Sequence, residues 1–247
     1  MQKVIRSLRP RFITIFAIVG LVSACSAPRD DSGINDPYEP FNRKVHEFNR
    51  GVDAKLVKPL GSGMSGSDGA GSHAVAAVGN FGANLALPGT AVNHLLQGKP
   101  APALRMTFRF LVNSTLGFAG FLDPAGKDFA LPEEETDFGQ TLASWGVGEG
   151  AYLELPLIGP STERDAVGRV VDLVFDPMHN WLNRDQYLIG MGARVASKAG
   201  ERGRFGDSVD SILHESADSY AQMRLIWLQH RRHELGQQGE EIDPYAE

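Results

Sequence analysis

The sequence predicts a mostly α-helical fold, and three observations carry that prediction. Apolar residues recur at three- and four-residue spacings along most of the chain. Glycine (28 residues) and proline (14 residues) break those runs into short pieces. Only Tyr152-Leu153-Glu154-Leu155 alternates in the manner of a strand. Many amphipathic segments and one short strand candidate place the chain in the helical class.

The elements follow in order. Phe41, Val45, Phe48 and Val52 form one apolar stripe, so residues 41–57 read as a helix that Pro59 ends. The Gly/Ser-rich stretch Gly61–Ser72 reads as loop. Residues 74–87 and 91–96 read as two short apolar helices meeting at a Pro88-Gly89 elbow. They suit either a hairpin dipping into a bilayer or two core helices of a bundle. Residues 103–121 form the most apolar helix of the mature chain, closed by Pro124 and Gly126. Residues 136–146 read as another helix, and Pro156, Gly159 and Pro160 make a loop after the strand candidate. Ser161 or Thr162 caps a helix running to about Phe175. Residues 181–198 are compatible with helix. The last helix carries a stripe of Val209, Leu213, Ser216, Tyr220, Met223 and Trp227, with Arg224, Arg231 and Arg232 placed elsewhere on its surface.

The first residues have the order of an export signal. Lys3, Arg6, Arg9 and Arg11 precede an uncharged apolar run from Phe12 to Val22, then small residues, then Cys25. The run is about half of the ~20 residues a transmembrane helix needs. Cys25 is the only cysteine, so no intramolecular disulfide is available. Val22-Ser23-Ala24-Cys25 resembles a bacterial lipobox, in which the cysteine is the residue that receives lipid. Several acyl chains, at about 0.8 kcal/mol per buried methylene, anchor stably where one does not. Ser26 after the cysteine resembles the sorting pattern for the outer membrane. The chain therefore divides into a signal peptide (1–24), a small, polar tether (25–36), one helical domain (37–235) and an acidic tail read as disordered (236–247).

Charge and motif content exclude several functions. The segment 1–24 holds four of the 24 Lys+Arg and none of the 30 Asp+Glu, leaving 20 against 30, a mature net charge of −10. Such a chain is a poor nucleic-acid binder. Gly61-Ser62-Gly63-Met64-Ser65-Gly66 spells a dinucleotide fingerprint but lacks the strand that must precede it. A G-x-S-x-G elbow is absent. His214-Glu215 starts like a zinc-protease helix, yet position 218 is Asp. His230 and His233 suit a helix C-terminus better than a metal, and Glu133-Glu134-Glu135 suits a solvated acidic loop. The reading is of a protein without a catalytic set, a resident metal or a cofactor, apart from covalent lipid on Cys25.

Arg105, Arg109 and Asn113 are spaced by four and share one helical face; Leu104, Phe108, Leu111, Thr115 and Phe118 cover the other. Two readings stand. The arginines pair with acids such as Asp123 or Glu133–Glu135, or they face a polar path and take a phospholipid phosphate.

Four blocks of sequence then resemble the VacJ/MlaA family of outer-membrane lipoproteins. They are Asp36-Pro37-Tyr38-Glu39-Pro40-Phe41-Asn42-Arg43 with Phe48-Asn49; Asn80-Phe81-Gly82-Ala83-Asn84-Leu85 with Pro88, Asn93 and Leu96-Gln97-Gly98; Arg109 through Gly117; and Asp137 through Leu142, continued by Gly146-Val147-Gly148, Leu155-Pro156, Gly159-Pro160-Ser161 and Arg164-Asp165. They occur in the family order over residues 35–175. The Gly/Ser run at 61–72 and Ala151 depart from the family pattern. The resemblance implies a ring of amphipathic helices in the inner leaflet of the outer membrane, facing the periplasm. It implies removal of misplaced phospholipid from the outer leaflet through an amphipathic channel, and delivery to a periplasmic carrier that feeds an inner-membrane ABC transporter. It also implies association with a trimeric porin. The alternative is a structural porin-associated lipoprotein that moves no lipid. Candidate channel residues are Phe48, Asn49, Asn80, Phe81, Arg105, Arg109 and Asn113.

Overall fold

In a computed structural model, residues 34–65, 70–176 and 182–236 are described. Cys25, the signal, the tether up to residue 33 and the tail from residue 237 lie outside them. The described chain is mostly helical, as the sequence predicts.

Helix α1 (Glu39–Val52) starts on Pro40, which needs no intrahelical donor, and carries Glu39 in its first turn and Arg50 in its last, each opposing the helix dipole. Pro59 does not end it. The chain widens into a π-turn at Asp53–Val57 and continues as α2 (Lys58–Ser65). A proline ring clashes with the carbonyl four residues back, and a π-turn relieves that clash. The expected loop is therefore helical at 61–65. Gly61 explains why glycine sits there: a Cβ on it would lie 2.5 Å from the Ala199 carbonyl oxygen.

Helix α3 (Ala70–Leu96) is continuous through Pro88, so the expected elbow is absent. Proline removes one hydrogen bond, and the neighbours compensate. Leu87 and Ala91 flank Pro88 and bury themselves with Met106 of helix α4 (Pro100–Thr115). Burial of the Leu87 and Met106 side chains is worth about 1.5–3 kcal/mol each, and the Ala91 methyl adds less. Helix α4 ends six residues before the expected Phe121, because Phe118, Ala119 and Gly120 all adopt positive φ. The short helix α5 (Pro124–Lys127) follows, capped by Asp123.

Helix α6 (Phe138–Ser144) is capped by the Asp137 side chain, which accepts from the Gln140 N–H. The strand candidate is strand β1 (Tyr152–Leu155), and it has a partner that alternation did not reveal, β2 (Gly159–Thr162). They pair antiparallel, Tyr152 opposite Thr162 and Leu155 opposite Gly159. Thr162 then caps helix α7 (Glu163–Val174) by accepting from the Asp165 N–H, as expected. Helix α8 (Arg184–Arg204) packs on α2 and α3. The expected single last helix is two, α9 (Gly206–Leu213) and α10 (Ser219–Glu234), parted at 214–218, where Asp218 caps α10.

Among the described residues no helix is long and apolar enough to cross a membrane. The burial pattern is nonetheless unlike a plain soluble core. Buried residues include Asn42, His46, Asn84, Asn93, Arg109, Asn113, Glu154, Arg164 and Asp165, while Phe41, Leu104, Phe118, Leu157, Ile189, Val195 and many other large apolar side chains face outward.

Candidate functional site

The buried polar residues form linked clusters. At the start of the domain, the Asp36 carboxylate accepts from Asn42 Nδ2 (2.9 Å), the Tyr220 hydroxyl and Arg224 Nη1 (both 2.5 Å). Asn42 also donates to the Tyr152 carbonyl and accepts from the Glu154 N–H, so its amide extends the β-ladder sideways. His46 lies between Ser219 Oγ (3.0 Å) and Glu154 Oε1 (3.4 Å), and Tyr152 donates to the other Glu154 oxygen. This hydroxyl–imidazole–carboxylate chain has the connectivity of a nucleophile relay. Its members are only 3–6% exposed, and they join α1, β1 and α10. Burial pushes the Tyr152 phenol well above its usual range, and the neighbouring Glu154 carboxylate adds to this.

A second cluster surrounds α4. Arg109, 4% exposed, donates to Asp123 Oδ1 (3.2 Å) and to the Leu131 carbonyl, and lies 3.5 Å from Glu133. Asn113 donates to Asp123 (2.8 Å) and accepts from the Ala125 N–H. Arg105 pairs with Glu134. Both arginines thus meet acids, the first of the two readings above. Burial raises the Glu133 carboxyl despite the opposing charge of Arg109.

A third cluster joins α6, α7 and α10. Arg231 donates to both Asp165 oxygens (3.0 and 3.1 Å) and to Asp137 (2.7 Å), and Arg164 contacts Asp165. Arg231 is 8% exposed, so its expected surface position is corrected. Tyr220, Arg224, Leu228 and Arg231 follow one helical face, and that face turns inward onto carboxylates. Arg224 is corrected likewise, half-buried with its guanidinium on Asp36. Burial alone would raise Asp165, but Arg231 and Arg164 hold it below the usual carboxylate range.

A fourth cluster sits at the π-turn. Arg202 forks onto Asp53 (both 2.9 Å) and reaches Asp210 (2.6 Å); His214 lies 3.0 Å from Asp53, and Lys58 2.8 Å from Asp210. Asp53, Asp210 and His214 are close enough to share a metal, but Arg202 already occupies the space between the two carboxylates.

The remaining candidate residues hold neighbouring segments. Phe48 is exposed. Asn49 pins the β-hairpin by donating to the Leu155 carbonyl (2.9 Å) and accepting from the Leu157 N–H (2.7 Å). Asn80 donates to the Phe121 carbonyl (3.1 Å), and Phe81 stacks on Phe121 with centroids 4.8 Å apart. Arg109 and Asn113 converge on Asp123, whereas Phe48-Asn49 and Asn80-Phe81 serve other segments. Asp36, His46, Glu154 and Asp165 escaped the sequence reading as interior residues. Their partners are far along the chain, and only the heptad spacing of Arg224 and Arg231 hinted at an inward basic face.

These features define a mostly helical domain with linked polar clusters in its interior and many large apolar side chains on its surface. The family model described as MlaA lipoprotein matches residues 34–234. An Escherichia coli K12 protein, "Intermembrane phospholipid transport system lipoprotein MlaA", is 35% identical over 229 residues, covering 91% of this chain and 87% of that one. A Rickettsia felis protein is 36% identical over 200 residues, 79% of this chain and 77% of its own. A solved structure from work on the structural basis for maintenance of bacterial outer membrane lipid asymmetry superposes with a TM-score of 0.68 at 31% identity, covering 81% of this chain and 98% of that one. The chain belongs to the MlaA lipoprotein family. At the level of that family the role is phospholipid transport, a non-enzymatic one.

Proposed function

We propose that this protein clears misplaced phospholipid from the outer leaflet of the outer membrane. Cys25 carries the lipid anchor, and the helical domain sits in the inner leaflet around an amphipathic channel. The lipid passes to a periplasmic carrier that feeds an inner-membrane ABC transporter, and a trimeric porin holds the protein in place. The observation that carries this reading is the inverted burial pattern. Charged and amide side chains share the interior with apolar ones, while Leu104, Phe108, Phe118, Ile189 and Val195 are each more than half exposed. Apolar exposure on this scale marks a surface that meets lipid or protein. The candidate channel residues, Phe48, Asn49, Asn80, Phe81, Arg105, Arg109 and Asn113, enter this reading chiefly as the frame of the path. Asn49, Asn80 and Phe81 hold loops, and Arg105, Arg109 and Asn113 hold the acids beside α4.

The test is deletion of the gene, with outer-leaflet phospholipid and detergent sensitivity as readouts. Both rise in the deletion and return to normal on complementation. Unchanged lipid asymmetry in the deletion overturns the proposal.

A further inference from the structure

Between α4 and α5 the chain ties a tight knot over residues 116–122. Leu122 N–H closes onto the Gly117 carbonyl (2.9 Å), and Ala119 N–H onto the Ser114 carbonyl (3.1 Å). Phe118 (φ 51°), Ala119 (φ 60°) and Gly120 (φ 98°) are consecutive left-handed residues, two of them with side chains that disfavour that region. Such strain persists only where surrounding contacts over-determine it, and it clusters at functional segments. The contacts here come from α3. Asn80 holds the Phe121 carbonyl, Phe81 stacks on the Phe121 ring, and Gly120 sits so close to Asn84 that a Cβ would lie 2.5 Å from its Nδ2. Asn84 is itself fixed by Ser114 Oγ (3.0 Å).

This scaffold presents apolar surface. Leu116 (60%), Phe118 (76%) and Leu122 (51%) are exposed, and no charged residue lies between Arg109 and Asp123. Asp123 turns inward to Arg109 and Asn113. The knot continues the outward stripe of α4, where Leu104, Phe108 and Leu111 are exposed at helical spacing. A protein-binding patch carries a polar rim around its apolar centre, and a phosphate site carries cations. Residues 116–122 are all apolar or glycine and hold no cation for a phosphate, so hydrocarbon is the chemistry this surface fits.

We propose that the 116–122 knot is an acyl-chain wedge of the lipid path, with Phe118 as its contact and Asn80, Phe81 and Asn84 as positioning residues. The proposal rests on the transport reading above and adds to it the segment that touches the tails. Full-length protein carrying a photoreactive benzoylphenylalanine at 118 or at Gln229, an exposed site on α10, is irradiated in cells. A phospholipid adduct forms at 118 and not at 229. In the complemented deletion strain, Phe118→Ser lowers clearance of outer-leaflet phospholipid roughly tenfold, the equivalent of about 1.4 kcal/mol. Gln229→Ser, at the control site on α10, retains clearance. Gly120→Ala, which drives a methyl group into Asn84, matches Phe118→Ser at an unchanged membrane level. A protein adduct at 118, equal lipid adducts at 118 and 229, or full clearance by Phe118→Ser overturns the wedge. If Phe118→Ser does not accumulate, Phe118→Gln takes its place with the same expected loss of clearance. A wild-type chain without effect on lipid asymmetry overturns the transport reading instead, and the adduct then reports whether the knot meets lipid.

Discussion

Gly139 and Gly168 meet backbone to backbone, so closely that a Cβ on Gly168 would lie 2.3 Å from the Gly139 nitrogen. Helices α6 and α7 owe their approach to this pair. Gly168→Ala forces the helices apart and costs about 1–3 kcal/mol, the usual range for overpacking. A fall in the urea midpoint in detergent measures it. A midpoint equal to wild type contradicts the close approach.

Arg231 is the hub of the third cluster. Arg231→Met strips the buried Asp165 of both its Arg231 hydrogen bonds, and removing one partner of a buried pair costs about 3–5 kcal/mol. The double variant Arg231→Met, Asp165→Asn recovers part of that loss, because the stranded charge is gone. Thermal unfolding of the two variants checks both statements, and a double variant no more stable than the single one sinks the argument.

Acid acts on the same clusters. In Asp53, burial pushes the carboxyl up, but the forked Arg202 and the adjacent His214 bring it below its usual value. Asp165 is lowered too, against burial, by Arg231 and Arg164. Asp218 falls to about 2 through Arg43 and the Ala221 N–H. A depressed carboxyl favours the folded state above its unfolded pKa and loses that effect as pH falls through its folded one. Stability therefore drops below about pH 4, the ordinary aspartate value. Glu133 and Asp172, both raised chiefly by burial, work the other way and flatten the curve above that point. Asp53→Asn makes the acid fall shallower in urea titrations from neutral pH downward. An unchanged profile counts against the Arg202 clasp.

The proposed anchor gives a different kind of expectation. Cys25→Ala impairs sorting and yield, yet the mature chain still partitions into detergent because its apolar outer face is unaltered. A mature chain that stays in the aqueous phase rejects the buried-domain reading.

The local grammar of the fold was legible in the sequence wherever a signal acts over a few residues. Thr162 caps the helix it precedes, and Tyr152–Leu155 alternates as it pairs. The reading failed where tertiary contacts outweigh local preference. Pro59 and Pro88 look like breaks, but a π-turn absorbs one and the packing of Leu87 and Ala91 on Met106 carries the helix through the other. The interior was harder still. Asp36 finds Arg224 across 188 positions and His46 finds Ser219 across 173, and no spacing rule reaches so far. Asn49 and Asn80 stood out by resemblance, while what they hold became visible only in three dimensions.

Asp36 also has a mechanical meaning. It lies two residues beyond buried Ile34, and its carboxylate is gripped by Asn42, Tyr220 and Arg224 together. Traction on the chain ahead of Ile34 is therefore borne at once by the first helix and the last. A membrane leash fixed at Cys25 would load both ends of the domain together, as a drawstring does, and would not peel α1 away alone.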